Sequence, residues 1–325
     1  MKSFPNLKQF ILRSLDLDYT YPSTRKTVQT YQTKNNYNTT SYYKGTIDIV
    51  MPTFNRQRET RRCIENLYKT CKTSFRLIVV DNNSTDGTKD LLLNLQKSND
   101  NMNVISLDQN LGGSGARNEG LKLAKNEFVA FLDNDIYIMP NYFEHLINSL
   151  QAHPDIIAVQ SKVVLPNGLI QINRPHFDIQ NQWIVFKDKD FEKSFNDSST
   201  LSDEECNWIP SGATLWRREI FYEHKFDLSL GTYYEDNEFS FRLNKLGYKF
   251  MNNHKALCLH YSSNFAPDLS KGKYSEERWN NDSIRNALKI FYNKHDFYLA
   301  FGDIEGHVKY LGFSSKEEYI EFLKS

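Results

Sequence analysis

From residue 46 onward the chain alternates between short apolar runs and segments whose apolar positions recur three or four residues apart. IDIVM (47–51), FRLIVVD (75–81), VISL (104–107) and FVAFLDND (128–135) are runs of the first kind, and they predict strands buried on both faces. Between the first two, Cys63, Ile64 and Leu67 share one side while Arg58, Arg61 and Glu65 fall on the other, which predicts an amphipathic helix. DGTKDLLLNLQ (86–96) predicts a second helix, with Asp86 placed to cap its start, and residues 114–125 a third. Strand and helix alternating at this spacing predict an α/β fold: a mostly parallel sheet with helices on both faces. Ligands of such sheets bind at the C-terminal ends of the strands. Four polar clusters fall there in register: PTFNR, DNNSTD, NLGGSGARN and DND.

The later pattern is looser. IIAVQSKVVL (156–165) predicts a strand, Pro166-Asn167-Gly168 a turn, and the charged, Ser-rich stretch 186–205 a surface loop. A helix is expected from 235 to 246, stopped by Gly247, then a strand ending at His260 and an amphipathic helix over 279–294. Residues 1–45 are polar; Phe10, Ile11 and Leu15 could seat one short helix, and the rest reads as an arm. The expected division is an N-terminal arm (1–45), a catalytic domain (46–265) and a C-terminal helical extension (266–325).

Charge adds a negative constraint. Lys and Arg number 40, as do Asp and Glu, so the basic surface that duplex binding needs is not expected. Mean hydropathy is −0.62 and no window approaches the roughly 18–20 apolar residues of a membrane span, so no transmembrane segment is expected. The N-terminus lacks a secretory pattern. The expected location is the cytoplasm, with peripheral contact at the inner face of the membrane left open. The four cysteines form no CxxC pair and read as free thiols.

The clusters carry candidate chemistry. Asp133-Asn134-Asp135 closes a strand, and two carboxylates two apart can converge on one hard cation, against the alternative of a solvated acidic turn. Asp81 and Asn82 can read a base edge or a ribose, or simply form an Asx turn. Gly112, Gly113 and the following helix start suit an anion, with Arg117 as a planar fork for a diphosphate. The spacing is neither GxGxxG nor a Walker loop. Glu235-Asp236 opens a helix, where acids compensate the dipole or where one could act as a general base. Trp208 and Trp216 flank Gly212; either indole could stack on a sugar or pack in the core, and Trp208, beside the predicted loop, is the acceptor candidate together with Gly212.

PTFNR, VVDNNSTDGT, NLGGSGARNEG, FLDND and YEDNEFSFRL, in this order over 46–262, resemble glycosyltransferase family 2. Gly212 before the pair Arg217-Arg218, a His after the acidic helix, and Arg285-Asn286 are similar to its rhamnosyl- and galactofuranosyltransferase-like branch. The resemblance implies a GT-A type nucleotide-sugar-binding fold and inverting transfer from a nucleotide-diphosphate sugar, a UDP-sugar or alternatively a dTDP-sugar, to a glycan, lipid-linked or peptide acceptor. It implies that Pro52, Thr53, Phe54, Asn55 and Arg56 line the nucleobase pocket. Asp81 or Asn82 would contact base or ribose, Arg117 would neutralise phosphate, and Asp133 and Asp135 would hold Mg²⁺ or Mn²⁺ with Asn134 between them. His260, 24 positions after Asp236 at a strand end, would be a third ligand and would tilt the choice toward Mn²⁺. Asp236 would be the base, with Glu235 beside it; Glu238 is the alternative base or an acceptor contact. Two other readings compete. A sugar nucleotidyltransferase needs a glycine-rich loop after the first strand, which PTFNRQRE lacks. A catalytically silent binding protein would not need both acidic clusters.

Overall fold

The computed structural model describes residues 43–261 and 280–325. The seat expected for Phe10, Ile11 and Leu15 lies outside them, as does Trp279. The first half follows the predicted alternation: β1 (Thr46–Thr53), α1 (Gln57–Thr70), β2 (Ser74–Asp81), α2 (Thr88–Lys97), β3 (Met102–Ser106), α3 (Gly112–Leu121) and β4 (Phe128–Leu132). β4–β1–β2–β3 is a parallel set. In β1 the side chains alternate between two cores: Ile47, Ile49 and Met51 pack toward Cys63, Ile64 and Leu67 of α1, and Val50 toward Ala116 of α3. That two-sided burial is why the run reads as continuously apolar. Its one polar residue, Asp48, is fully buried and satisfied by Arg76 (2.9 Å) and by the backbone N–H groups of Lys125 (2.6 Å) and Asn126 (2.7 Å).

The second half adds β5 (Ile136–Ile138), α4 (Tyr142–Ala152), β6 (Ile156–Val164), β7 (Ile170–Ile172), β8 (Pro175–Gln180), β9 (Trp183–Asp188), β10 (Glu205–Cys206), β11 (Ala213–Arg217), α5 (Ile220–Glu223), α6 (Glu235–Lys245) and β12 (Lys249–His260). β11 inserts antiparallel between β4 and β6, so the large sheet is mixed, in the order β10-β12-β6-β11-β4-β1-β2-β3. The chain closes with α7 (Asn281–His295), β13 (Tyr298–Phe301), α8 (Ile304–Tyr310) and α9 (Lys316–Lys324).

Two features depart from the sequence reading. The expected fourth strand stops at Leu132, because Asn134 and Asp135 form a turn before β5. The stretch 186–205 begins inside β9, the second arm of the β8–β9 hairpin, and its remainder is anchored rather than loose. Asp190, fully buried, accepts from Arg174 Nε (2.6 Å) and Asn173 Nδ2 (2.7 Å). Lys162, 1% exposed, donates to the Thr200 carbonyl at 2.7 Å, and burial brings its ammonium down to about 8. The C-terminal segment is not purely helical either, since β13 pairs in parallel with β9 to form a separate three-stranded sheet.

Candidate active site

A cavity of about 820 Å³ opens at the C-terminal ends of β1, β2 and β4. Pro52, Thr53, Phe54, Arg56, Asn82, Gly112, Gly113, Arg117, Asp133, Asn134, Asp135 and Glu235 line it, so the strand-end clusters do share one crevice. The size is in the range of small-molecule sites.

The charges interlock. Arg117, 5% exposed, bridges Glu235 (Nη1–Oε1, 3.0 Å) and Asp133 (Nη2–Oδ1, 3.0 Å), while its Nε is buried without a hydrogen-bond partner in the described structure. Burial disfavours its charge, but the two acids more than compensate and its pKa is raised. Arg56 sits 2.6 Å from Asp135, whose Oδ2 also lies 3.4 Å from His260 Nε2. Burial pushes the Asp135 carboxyl up, and Arg56 and His260 overcome that and hold it well below the usual carboxylate range. For His260, burial opposes protonation, and the Asp135 carboxylate outweighs it, raising the pKa. His260 Nδ1 is 2.6 Å from Gln171 Oε1, which fixes the ring.

The two acids of the DND triplet therefore differ: the side chain of Asp133 is 40% exposed and that of Asp135 is 9% exposed. Asn134 serves the scaffold, donating to Thr53 and Thr60 hydroxyls at 2.9 Å each. The donor types of Asp133, Asp135 and His260 suit Mn²⁺ or Mg²⁺. As arranged, however, both carboxylates are engaged by guanidinium groups, and among the described residues no group of three or more His, Cys, Asp and Glu side chains is set to hold a metal ion.

The glycine turn departs from its expected role. Leu111 N–H donates to Asn82 Oδ1 (2.8 Å), Gly112 N–H to Asn110 Oδ1 (2.9 Å), Gly113 N–H to Thr232 Oγ1 (3.2 Å) and Ser114 N–H to the Gly231 carbonyl (3.0 Å). The donors at the start of α3 are thus spent on protein, not left for an anion. Gly112 has φ +69°, and a Cβ there would lie 2.5 Å from the Gly231 backbone. Its lack of a side chain admits the 228–232 loop rather than a ligand. Gly212 works similarly: a Cβ would run into the Asp133 carboxylate, so this residue makes room for the DND acid.

Several candidates do not reach the cavity lining. Asp81 is 1% exposed and accepts from Ser84 N–H (3.1 Å), forming the Asx turn. Asn55 takes φ +48° and accepts from Thr85 N–H (2.7 Å). Trp208 is 4% exposed against Phe186 and donates to the His176 carbonyl (3.0 Å), so its indole is core. Glu238 is fully buried among Arg242 (3.0 Å), Lys294 (2.6 Å) and His295 (3.2 Å), and these partners hold its carboxyl down at about 2 against the effect of burial. Asp236 is part-exposed, one residue beyond the wall formed by Glu235. It accepts from Asn237 N–H (2.9 Å) and, at 3.4 Å, from Ser211 N–H. Burial and then Glu235 raise its carboxyl to about 6, while Arg117 pulls the other way.

The sequence reading missed one wall. Leu228, Ser229 and Leu230, together with Thr232 and Tyr233, complete the cavity with Asn280, Ser283 and Asn286 from α7. The polar i, i+3, i+6 spacing on α7 was a signal for it. Among the described residues no helix is long and apolar enough to cross a membrane.

Comparison with known proteins bears on this arrangement. Residues 48–206 match the model of glycosyl transferase family 2. The chain is 32% identical over 148 residues to the poly(ribitol-phosphate) beta-glucosyltransferase of Bacillus spizizenii, covering 43% of this chain and 23% of that one. It is 40% identical over 91 residues to the GalNAc(5)-diNAcBac-PP-undecaprenol beta-1,3-glucosyltransferase of Campylobacter jejuni, covering 27% and 29%. In each case the matched part is under a third of the relative's length. Two solved structures share the fold at low identity: GalNAc-T7 with UDP, GalNAc and Mn²⁺ (TM-score 0.55, 15% identity, 78% of this chain and 55% of that one) and S. aureus TarS 1-349 in complex with UDP-GlcNAc (TM-score 0.52, 18% identity, 77% and 66%). The chain thus carries a strand-end crevice on a GT-A type α/β sheet, and residues 48–206, just under half of it, are similar to glycosyltransferase family 2.

Proposed function

We propose that the protein is an inverting glycosyltransferase that moves a sugar from a nucleotide-diphosphate donor, a UDP-sugar, to a hydroxyl of a glycan, lipid-linked saccharide or peptide. The observation that carries this reading is the single crevice in which Asp133, Asp135, Glu235, Arg56 and Arg117 meet at the strand ends of a family 2 domain. The UDP and UDP-GlcNAc bound to the two structural neighbours support the choice of donor.

In this reading Pro52, Thr53 and Phe54 face the base, with Asn82 toward the ribose. Arg117 and Arg56 offset the diphosphate charge. Asp236, part-exposed beside the cavity lining rather than in it and with a raised pKa, accepts the proton of an acceptor hydroxyl that reaches past the Glu235 wall as that oxygen attacks C1 opposite the leaving diphosphate. Glu235 is held by Arg117 and acts through it to fix the wall. A divalent cation, Mn²⁺ or Mg²⁺, belongs to the proposal as cofactor, with Asp133, Asp135 and His260 as donors; it would supply charge neutralisation for the leaving group. It must compete with Arg56 and Arg117 for the two carboxylates.

Stereochemistry tests the mechanism. An α-linked donor should give a β-linked product, read by proton NMR through the anomeric coupling. Retention of the donor's configuration would refute single displacement and the base assignment together. The second reading, a silent nucleotide-sugar-binding protein, draws on the arginine-neutralised acids. It predicts calorimetric UDP binding with no release of UDP from any sugar nucleotide.

A further inference from the structure

We propose that the cavity-facing side of α7, carried by Ser283 and Asn286, recognises the hydroxyl groups of a neutral sugar ring. The proposal rests on the transferase reading and assigns a part of the cavity that the family match, ending at residue 206, does not reach.

Asn280, Ser283 and Asn286 line the cavity from a single helical stripe, since positions three apart lie on one face. Their commitments differ. Asn280 is the N-cap of α7, and its side chain accepts from Ser283 N–H at 3.0 Å. The Ser283 hydroxyl and the Asn286 carboxamide are exposed and make no hydrogen bond with any other described residue. Each offers both a donor and an acceptor, the pairing that sugar hydroxyls need. Ala287, also on the wall, adds no bulk beside them.

The electrostatics select a neutral ligand. Arg285, the cation nearest this stripe on α7, is turned away from the cavity. Its Nη2 donates to the Leu311 carbonyl at 2.8 Å, and its guanidinium lies 4.6 Å from the Phe313 ring centroid. A phosphate or carboxylate at Ser283 and Asn286 would meet no counter-charge from α7, whereas a polyol loses nothing there. The guanidinium groups that line the cavity, Arg56 and Arg117, come from other elements and are already paired with Asp135, Asp133 and Glu235.

The ring is either the sugar of the donor nucleotide or that of the acceptor, and the test separates the two. The variant is Ser283→Ala/Asn286→Ala; both side chains are exposed and neither caps the helix, so the fold should be unaffected. Calorimetry with UDP, UDP-glucose and UDP-GlcNAc is run on wild type and variant. Ligand-observed NMR then follows a panel of methyl glycosides on the UDP-loaded proteins. Unchanged UDP affinity is expected, together with a loss of about 3- to 30-fold, the scale of one or two neutral hydrogen bonds. A loss in UDP-sugar affinity identifies the donor sugar; a loss in methyl glycoside binding identifies the acceptor. The proposal is overturned if UDP weakens as much as the UDP-sugars, or if no affinity changes by more than about twofold, well under the loss of one such bond. A wild-type protein that fails to bind UDP at all overturns the transferase reading beneath it, a result distinct from either.

Discussion

Asp133 and Asp135 stand two positions apart, yet the structure gives them different surroundings. Asp135 shares a buried ion pair with Arg56, whereas Asp133 opens toward the cavity. Asp135→Ala should therefore remove the shorter of Arg56's acidic contacts, leaving Glu59 at 3.8 Å, and destabilise the fold by about 1–3 kcal/mol. Asp133→Asn should melt within a few degrees of wild type while losing transfer, and paired thermal melts check both. The acids at the strand end were legible as a triplet, but their counter-ions were not, because Arg56 and Arg117 are brought in by other elements. Asp236 makes a prediction in pH. Its carboxyl titrates at about 6, so a base in that position is ionised above this value and protonated below it. Turnover should rise with pH through about 6. Glu235 contributes to the upward shift, so Glu235→Gln should move the acid limb to lower pH in a kcat/KM profile. A limb that stays in place or moves up would remove Glu235 from the account.

At the scale of elements, the turn before α3 is a latch. Gly112 and Ser114 hold the 228–232 loop, which leads into α6 and its acid pair Glu235-Asp236. Gly112→Ala would need a side chain at φ +69° and would press on Gly231, so a loss of more than about 1 kcal/mol of stability is expected with a drop in turnover. Chemical denaturation and a donor hydrolysis assay read the two effects. Sequence shows that glycines are needed there but not what approaches them, and a loop 119 residues away was the answer rather than an anion. Glu238 is a second latch, tying α6 to α7 through Lys294 and His295. Glu238→Gln should lower stability by about 1–3 kcal/mol, the scale of charged hydrogen bonds, and leave UDP affinity unchanged. The β8–β9 hairpin carried one readable signal, the apolar WIVF run, whereas the left-handed turn residue Asn181, at φ +55°, shows only in the structure. That run was obscured by the charged residues that follow.

Among the described residues a large mixed sheet is joined to a smaller three-stranded sheet, β13-β9-β8, whose core takes in Trp208, Phe241 and Phe291. The parallel half was readable because β1, most of β2 and β4 bury both faces and each connection is short, while β3, expected to be buried likewise, is only part-buried at the sheet edge. The pairing of β13 with β9 was not, since strands more than 100 residues apart in the chain share no local signal. The β8–β9 hairpin buries Trp208, and β13 shares the core that seats α7 as a cavity wall, so the α7 side of the cavity was the least legible part. On the proposed function, this cavity transfers sugar from a nucleotide donor. The most direct measurement is release of UDP from a panel of UDP-sugars with Mn²⁺ present, comparing wild type with Asp236→Asn. Release from at least one sugar nucleotide, lowered by about 10² in the variant, is the predicted result. UDP binding without release from any donor, or equal release by both proteins, would contradict it.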